Sequence, residues 1–435
     1  MSPKKRKSRP RKTHPQGLSG NPQRRAQQLA ERRARGTQAG TDWAVLQELA
    51  SSLAGGASPA EWWPESHARI LARARALSWP SRLVDLETQA GQIVGDEFYD
   101  RLQSPGTGLD PVRWLRVLAE QAGRELRAEL GQGSDDWQKL WALLCGLART
   151  APETIPETRK IAGLLDRRGL ELGPARLADG PELAGEALMA CDAYGSRFLL
   201  VAPFGYDGGA PDHWYAWDID WCWIGAVVGA GVFASAGDAL GEWRNAAGPA
   251  ASGATLTPCG AGMTAWLLGP ALLTGVADLL EGSESRELIR EYYRLRRRAL
   301  DLTESADAGG ASAPFDDDQA GDAFLDWFAA RHGDVPEAVT ESAGIILDEW
   351  GPHERPDERL FYACSPHRIE MAAHLIRDGY APEYAAPALR LLPEWTEWCL
   401  EHHELSEDAA ARSRQAAGSA VSVVTDDEGP YRRPE

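Results

Sequence analysis

The sequence has little lysine and lacks the short motifs of the familiar nucleotide-driven and hydrolytic enzymes. Six of its 435 residues are Lys, against forty Arg, and no Lys follows position 160. It contains no G-x-x-x-x-G-K-[S/T] phosphate loop, no H-E-x-x-H zinc motif and no G-x-S-x-G nucleophile elbow. These absences exclude a P-loop ATPase and weigh against the other two classes. A non-enzymatic role is therefore favoured, while an unfamiliar active site stays open.

Cysteine is also sparse, and no two cysteines form a C-x-x-C pair. The six lie scattered at positions 145, 191, 222, 259, 364 and 399. Because no apolar signal segment precedes them, we expect free thiols in a reducing compartment and predict a cytoplasmic location. The two longest uncharged runs, 221–237 and 245–277, are too short or too rich in Gly and Pro to favour a membrane span. No membrane association is expected.

Charge is distributed unevenly along the chain. Residues 1–40 contain twelve Lys and Arg but one acidic residue, a net charge of +11. The whole chain carries −18, so residues 41–435 carry −29. Lacking an apolar stripe, residues 1–40 are predicted to form a disordered basic arm. Such an arm binds DNA or RNA, docks on an acidic protein, or folds back on its own body. Its cationic residues are Lys4, Lys5, Arg6, Lys7, Arg9, Arg11, Lys12, Arg24, Arg25, Arg32, Arg33 and Arg35.

Hydrophobic periodicity predicts a fold that is mainly α with a small α+β module. Apolar residues recur at helical spacing on both sides of a short region that is typical of β-strands. The predicted segments after the arm are a helical domain (41–170), the α+β module with following helices (171–302), an acidic Gly/Ser-rich linker (303–322), a second helical domain (323–424) and a tail (425–435).

The centre of the module, near 181–250, is predicted to be an α-β-β-β-α antiparallel meander with its helices on one face. Ser235 followed by Asp238 is a capping signal, so a helix should begin there and end at Gly248. The predicted elements before it are a helix over 182–193 and strands over 197–204, 213–223 and 227–233.

The strand over 213–223 alternates sharply, with one mainly aromatic face and a second face that carries two acidic residues. Its aromatic face is either a buried core or an exposed platform on which bases could stack. Asp218 and Asp220 share the other face, where they either hold Mg²⁺ for a metal-dependent enzyme or simply face water. The aromatic face consists of Tyr215, Trp217, Ile219, Trp221 and Trp223.

Residues 285–302 predict an amphipathic helix with a basic stripe. The helix is interpreted either as a recognition or dimer helix, or as a core helix whose solvated Arg side chains pair with Glu287 and Glu291. The stripe contains Arg286, Arg290, Arg294 and Arg297, next to an apolar seam of Leu288, Tyr292, Leu295, Ala299 and Leu302.

A C-x-x-H pattern occurs twice in the second helical domain, at Cys364/His367 and at Cys399/His402. The four side chains could form a tetrahedral Zn²⁺ site if the two helix ends meet. The preferred interpretation is free buried Cys with surface His, and no resident cofactor is expected.

Together these observations favour a non-enzymatic, nucleic-acid-associated accessory or regulatory protein whose arm binds phosphates without sequence preference. Two alternatives stay open. One is a protein-interaction scaffold whose arm binds an acidic protein surface, and the other is a metal-dependent enzyme that uses Asp218 and Asp220. The bias towards Ala, Arg and Gly is typical of a GC-rich, bacterial-like genome and is given little functional weight.

Overall fold

A computed structural model confirms the predicted fold class. Fourteen α-helices and one six-stranded antiparallel sheet fall within the described residues. None of these helices is both long and apolar enough to cross a lipid bilayer. The structure describes residues 61–79, 82–102, 111–170, 180–206, 211, 213–222, 225–273, 286–305, 317–350 and 358–426. All twelve cationic residues of the basic arm lie outside these ranges.

The N-terminal region is helical, as predicted, and five helices lie in its described part. They pack around a core in which Phe98, Trp114 and Leu118 are completely buried. Indole and phenyl rings fill this core, and the rings of Phe98 and Trp114 stack with their centroids 6.0 Å apart. The helices are α1 (Trp63–Ala76), α2 (Leu83–Leu102), α3 (Pro111–Gln132), α4 (Trp137–Thr150) and α5 (Ile155–Arg167).

The sheet contains the three predicted strands and three others. The hydrogen-bonded order is β5-β4-β3-β2-β6. β1 pairs with the same edge of β3 as β2 does, but at the C-terminal end of β3. The consecutive pairs β3–β4 and β4–β5 are antiparallel, which confirms the meander. The strands are β1 (Glu182–Leu183), β2 (Leu188–Cys191), β3 (Arg197–Gly205), β4 (His213–Asp220), β5 (Ala226–Phe233) and β6 (Thr257–Pro258).

The helix predicted over 182–193 is wrong, because that segment holds β1 and β2. Ala187 and Met189 contact the core on one face of the sheet, whereas Ala190 contacts the core on the other. This alternation has the period of a strand, and β3 supplies the hydrogen-bonding edge against which the segment pairs. The sequence pattern alone could not reveal that edge.

Both faces of the sheet are covered, so the expectation that the helices lie on one face is also wrong. Helix α6 (Ala236–Ala247) packs on one face, where its Trp243 joins Val201 and Ala216. Helices α7 (Ala261–Leu273) and α8 (Arg286–Ser305) cover the opposite face, where Leu267 and Leu295 join the core. Strand β3 is accordingly almost continuously hydrophobic, as is typical of a strand buried on two sides.

The predicted capping signals of α6 are confirmed. The backbone N–H of Asp238 donates to the Ser235 hydroxyl at 3.1 Å, which satisfies one free amide of the first turn. Gly248 follows the helix with φ at +73°, a conformation that favours glycine. These local interactions fix both ends of the helix.

Six helices form the C-terminal helical region. Ser365 caps the fourth of them and Pro366 begins it, as predicted. Helix occupies both ends of the segment 303–322, and residues 306–316 lie outside the described part of the chain. The helices are α9 (Asp317–His332), α10 (Glu337–Glu349), α11 (Glu358–Tyr362), α12 (Pro366–Gly379), α13 (Pro382–His402) and α14 (Glu407–Asp426).

A buried ionic cluster joins the N-terminal helices, the sheet and α8. Glu87 of α2 accepts from Arg298 Nη2 at 2.9 Å and from Arg294 Nε at 3.3 Å, and all three side chains are at most 2% exposed. The hydroxyls of Tyr206 and Tyr215 also donate to Glu87. Burial alone would raise the pKa of Glu87, but the guanidinium groups of Arg298 and Arg294 outweigh it and lower that pKa.

Helices α2 and α8 also meet at a second, more exposed set of ion pairs. Asp96 of α2 accepts from Arg290 Nε at 2.6 Å, from Arg73 Nη2 at 2.9 Å and from Arg286 Nε at 3.2 Å. The backbones are close here, because a Cβ atom on Gly95 would lie 2.5 Å from the Cα of Arg290. Arg286 and Arg290 thus pair with Asp96 while 45% and 38% of their side chains stay exposed, and Arg294 is buried between Glu87 and Glu291. The pairing with Glu291 agrees with the core-helix interpretation, whereas the burial of Arg294 corrects the expectation that this side chain is solvated.

Replacing Glu87 with Gln is expected to destabilise the fold strongly, because it leaves two buried guanidinium groups beside a neutral partner. The expected loss in free energy of unfolding is about 3–5 kcal/mol. Urea denaturation followed by circular dichroism measures it. Glu65→Gln is the control, since Glu65 is 74% exposed beside Arg69 and its loss should cost less than ~1 kcal/mol. Equal losses for both variants would contradict the role given to the buried cluster.

His67 is expected to make stability depend on pH. The side chain is buried against Trp114, whose carbonyl oxygen lies 3.1 Å from Nε2, and burial lowers the pKa of His67 from 6.5 to about 4. The unfolded chain takes up this proton near pH 6.5 but the folded chain only near pH 4. The His67 contribution to stability therefore falls as the pH drops through this window and stays level below it.

The expected contribution is about 3 kcal/mol between the two ends of the window. It is measured as the difference between the wild type and His67→Gln in urea denaturation at several pH values. A variant whose stability changes with pH as steeply as that of the wild type would show that His67 is not the responsible group.

Candidate functional site

The aromatic face of β4 is buried and cannot stack nucleic-acid bases. Trp217 and Trp221 are each 2% exposed, under the helices that cover this face of the sheet. The Trp221 ring stacks on that of Trp266 in α7, with centroids 3.8 Å apart. The core interpretation is therefore confirmed for the described residues, and Trp223 lies outside them.

Asp218 and Asp220 do not form the metal-binding carboxylate pair that one of the two interpretations required. Asp218 accepts from Arg197 at 2.8 and 2.5 Å and from the Trp243 indole N–H at 2.9 Å, so protein donors occupy both of its oxygens. It is also buried, which corrects the alternative that it faces water. Asp218 is buried because helix α6 covers this face of the sheet. A Mg²⁺ site shared by the two carboxylates is excluded by this arrangement.

The four side chains of the two C-x-x-H patterns do not meet either. Cys364 and Cys399 are completely buried among apolar residues, and burial raises the pKa of Cys364 to about 12. The His402 ring stacks on that of Tyr362, with centroids 4.4 Å apart. His367 instead contacts the sheet. The two cysteines are thus buried core residues, as the preferred interpretation stated.

A different set of metal-ligand side chains lies where β4 ends against the first turn of α12. Asp220 is the last residue of β4, Cys222 follows it by two positions, and His367 is the second residue of α12. One donor atom from each of the three lies within 4.8 Å of the other two. It is the one such group of three found in the described residues.

Short hydrogen bonds connect this set. Nδ1 of His367 lies 3.0 Å from Oδ2 of Asp220, and Oδ1 of the same carboxylate accepts from the backbone N–H of Cys222 at 2.7 Å. The Cys222 thiol lies 3.2 Å from the hydroxyl of Ser365, which caps α12. The three side chains therefore hold one another in place across two separate chain segments.

The electrostatics of the set follow from burial and pairing. The hydrogen bond with Asp220 raises the pKa of His367 to about 10. Burial would raise the pKa of Asp220, but the hydrogen bond with His367 reverses this and lowers it. Burial raises the pKa of the Cys222 thiol. In the metal-free protein the set is thus an imidazolium–carboxylate pair beside a neutral thiol.

Arg368 fixes the position of the two segments relative to each other. Its guanidinium group is 1% exposed and donates to the carbonyl oxygens of Trp221 and Cys222, each at 3.0 Å. It also donates to carbonyls of the segment before α12, including Ala363 at 2.7 Å. A planar group with five N–H donors is well suited to this role. Arg368 thereby joins the end of the sheet to the start of the helix.

Sequence reasoning found two of these residues in other roles and missed the third. Asp220 was placed in a carboxylate pair, His367 in a Cys/His set, and Cys222 in no site. The one local signal is the Asp220-x-Cys222 spacing after an alternating strand. The contact with α12 is not visible in sequence, because Cys222 and Arg368 are 146 positions apart.

Comparisons of this chain with family models, with curated proteins and with solved structures found no match in any of the three.

We expect His367 to stay protonated well above neutral pH in chelator-treated protein, because Asp220 stabilises its imidazolium form. Proton–nitrogen NMR of the imidazole should give a pKa of about 10, and Asp220→Asn should lower this pKa towards 6.5. A His367 resonance that titrates near pH 6.5 in the wild type would contradict the ion pair.

Proposed function

We propose that this protein is a cytoplasmic, non-enzymatic accessory or regulatory protein that associates with DNA or RNA through its basic arm. The observation that carries this proposal is the separation of charge, +11 on residues 1–40 against −29 on the remainder. Cationic side chains that neutralise phosphates release bound counterions, which gives affinity without sequence preference. The arm contains no Phe, Tyr or Trp, so its contacts are expected to be with phosphates more than with bases.

The described part of the body supports this assignment, because several of its cations are already bound to carboxylates of the protein. Arg294 and Arg298 are buried with Glu87, Arg197 pairs with Asp218, and Arg290 pairs with Asp96. Phosphate contacts through these groups would require the internal ion pairs to break. The arm is therefore the part of the chain best suited to a polyanion.

The sequence suggested two other surfaces that could bind nucleic acid, and intramolecular contacts argue against both. The basic stripe of α8 (Arg286–Ser305) is held against α2, and the aromatic face of β4 is covered. A folded body of −29 should repel nucleic acid over most of its surface. The proposed binding is thus electrostatic, tethered to the arm and independent of base identity.

The expected result is salt-sensitive binding that depends wholly on the arm. Fluorescence anisotropy with duplex DNA and single-stranded RNA should give a plot of log affinity against log salt with a slope of about −0.9 for each phosphate neutralised on duplex DNA. A full-length variant with all twelve arm Lys and Arg changed to Gln should show no binding at low salt, as should residues 41–435.

The controls separate the remaining alternatives. Binding that survives in the Gln variant would refute the proposal, as would a wild type that ignores both nucleic acids at low salt. In the second case, direct binding of labelled polyglutamate tests whether the arm prefers carboxylates, which would favour the acidic protein surface or the protein's own body as its partner.

A further inference from the structure

We propose that Asp220, Cys222 and His367 form a binding site for a divalent metal ion of the zinc class. Their donor atoms lie within 4.8 Å of one another, where the end of β4 meets the first turn of α12 (Pro366–Gly379). This site is independent of the basic arm and of the nucleic-acid role proposed for it.

The donor set indicates the metal. One thiolate, one imidazole and one carboxylate are ligands that Zn²⁺ takes in tetrahedral sites, whereas Mg²⁺ and Ca²⁺ prefer sites made of oxygen alone. A Cys222 thiolate and the Asp220 carboxylate together carry two negative charges, which neutralise a divalent cation. Zn²⁺ would take the place of the proton that His367 shares with Asp220 and of the thiol proton of Cys222.

The protein holds the three donors with bonds that a metal would leave intact. Oδ1 of Asp220 accepts from the backbone N–H of Cys222 at 2.7 Å, so Oδ2 is the oxygen that faces His367. Arg368 binds the carbonyls of Trp221 and Cys222 and thereby fixes the turn that carries two of the ligands. Such outer contacts orient ligands and raise affinity for the metal.

The site is open to solvent on one side. The side chain of His367 is 57% exposed and that of Asp220 is 15% exposed, whereas Cys222 is buried. A metal ion can therefore enter past His367 and reach the thiol behind it. Three protein ligands leave the fourth tetrahedral position to water or to a small ligand, which is the arrangement of zinc sites that are not closed by protein.

Metal binding here would also join distant parts of the fold. Asp220 and Cys222 belong to the end of the sheet, whereas His367 begins a helix of the C-terminal region. Because the intact set exists only when these parts are docked, bound Zn²⁺ would stabilise the docked form by mass action. Thermal unfolding should therefore move to higher temperature with added Zn²⁺.

The experiment is a titration of chelator-treated, full-length protein with Zn²⁺, followed by calorimetry and elemental analysis. We expect one ion per chain with a Kd below ~10 μM and binding weaker by at least ~100-fold in His367→Gln. His374→Gln is the matched control, because His374 lies on the same helix, is also 57% exposed and also contacts a carboxylate. It should bind as the wild type does.

Co²⁺ gives a second readout that identifies the thiol ligand. The wild type and His374→Gln should show a thiolate-to-cobalt charge-transfer band, and Cys222→Ser should lose it. Because His367 is mostly exposed, His367→Gln is expected to fold. If Cys222→Ser does not fold, the loss of metal binding in His367→Gln tests the proposed site instead. Absence of stoichiometric Zn²⁺ in the wild type overturns the proposal, and so does equal binding in His367→Gln.

Discussion

One buried carboxylate determines how the parts of this molecule fit together. Glu87 comes from the N-terminal helices, Arg294 and Arg298 from the helix after the sheet, and two tyrosines from the sheet region. None of these charges is stable alone in an apolar interior, because desolvation of an unpaired ion costs several kcal/mol. The cluster is therefore formed when all three parts dock together, and it requires α8 to adopt one register against α2.

The same docking determines where chemistry is available. Because helices cover both faces of the sheet, Asp218 and the aromatic residues of β4 are buried and contribute to the core. Asp220, at the end of the sheet, keeps partial access to solvent. There Arg368 holds the exit of β4 against α12 and brings Asp220 and Cys222 next to His367. The two proposed activities, phosphate binding and metal ligation, accordingly involve different parts of the chain, the basic arm and the end of the sheet.

Some local features could be predicted because their causes are local. Ser235 and Asp238 cap a helix within one turn, and Ser365 with Pro366 begins another. The segment 182–193 was misinterpreted because it is so short that its apolar spacing fits either a helix or a strand. It forms strands because it pairs with the edge of β3. The complete candidate site was beyond prediction, since the Asp220-x-Cys222 spacing gives no indication that His367 of α12 lies beside it. The expectation that Asp218 faces water was wrong, because the sequence of β4 gives no sign of the helix that covers this face of the sheet.

The sequence by itself determined the fold class, the capped helix ends, the meander and the opposite charges of arm and body. Each of these depends on composition or on residues a few positions apart. Only the tertiary structure decided which arginines are buried, which carboxylate each one meets, and that a cysteine, an aspartate and a histidine share one place. The physical reason is distance along the chain: Glu87 and Arg298 are separated by 211 positions, and their attraction operates only after the hydrophobic cores have brought them together.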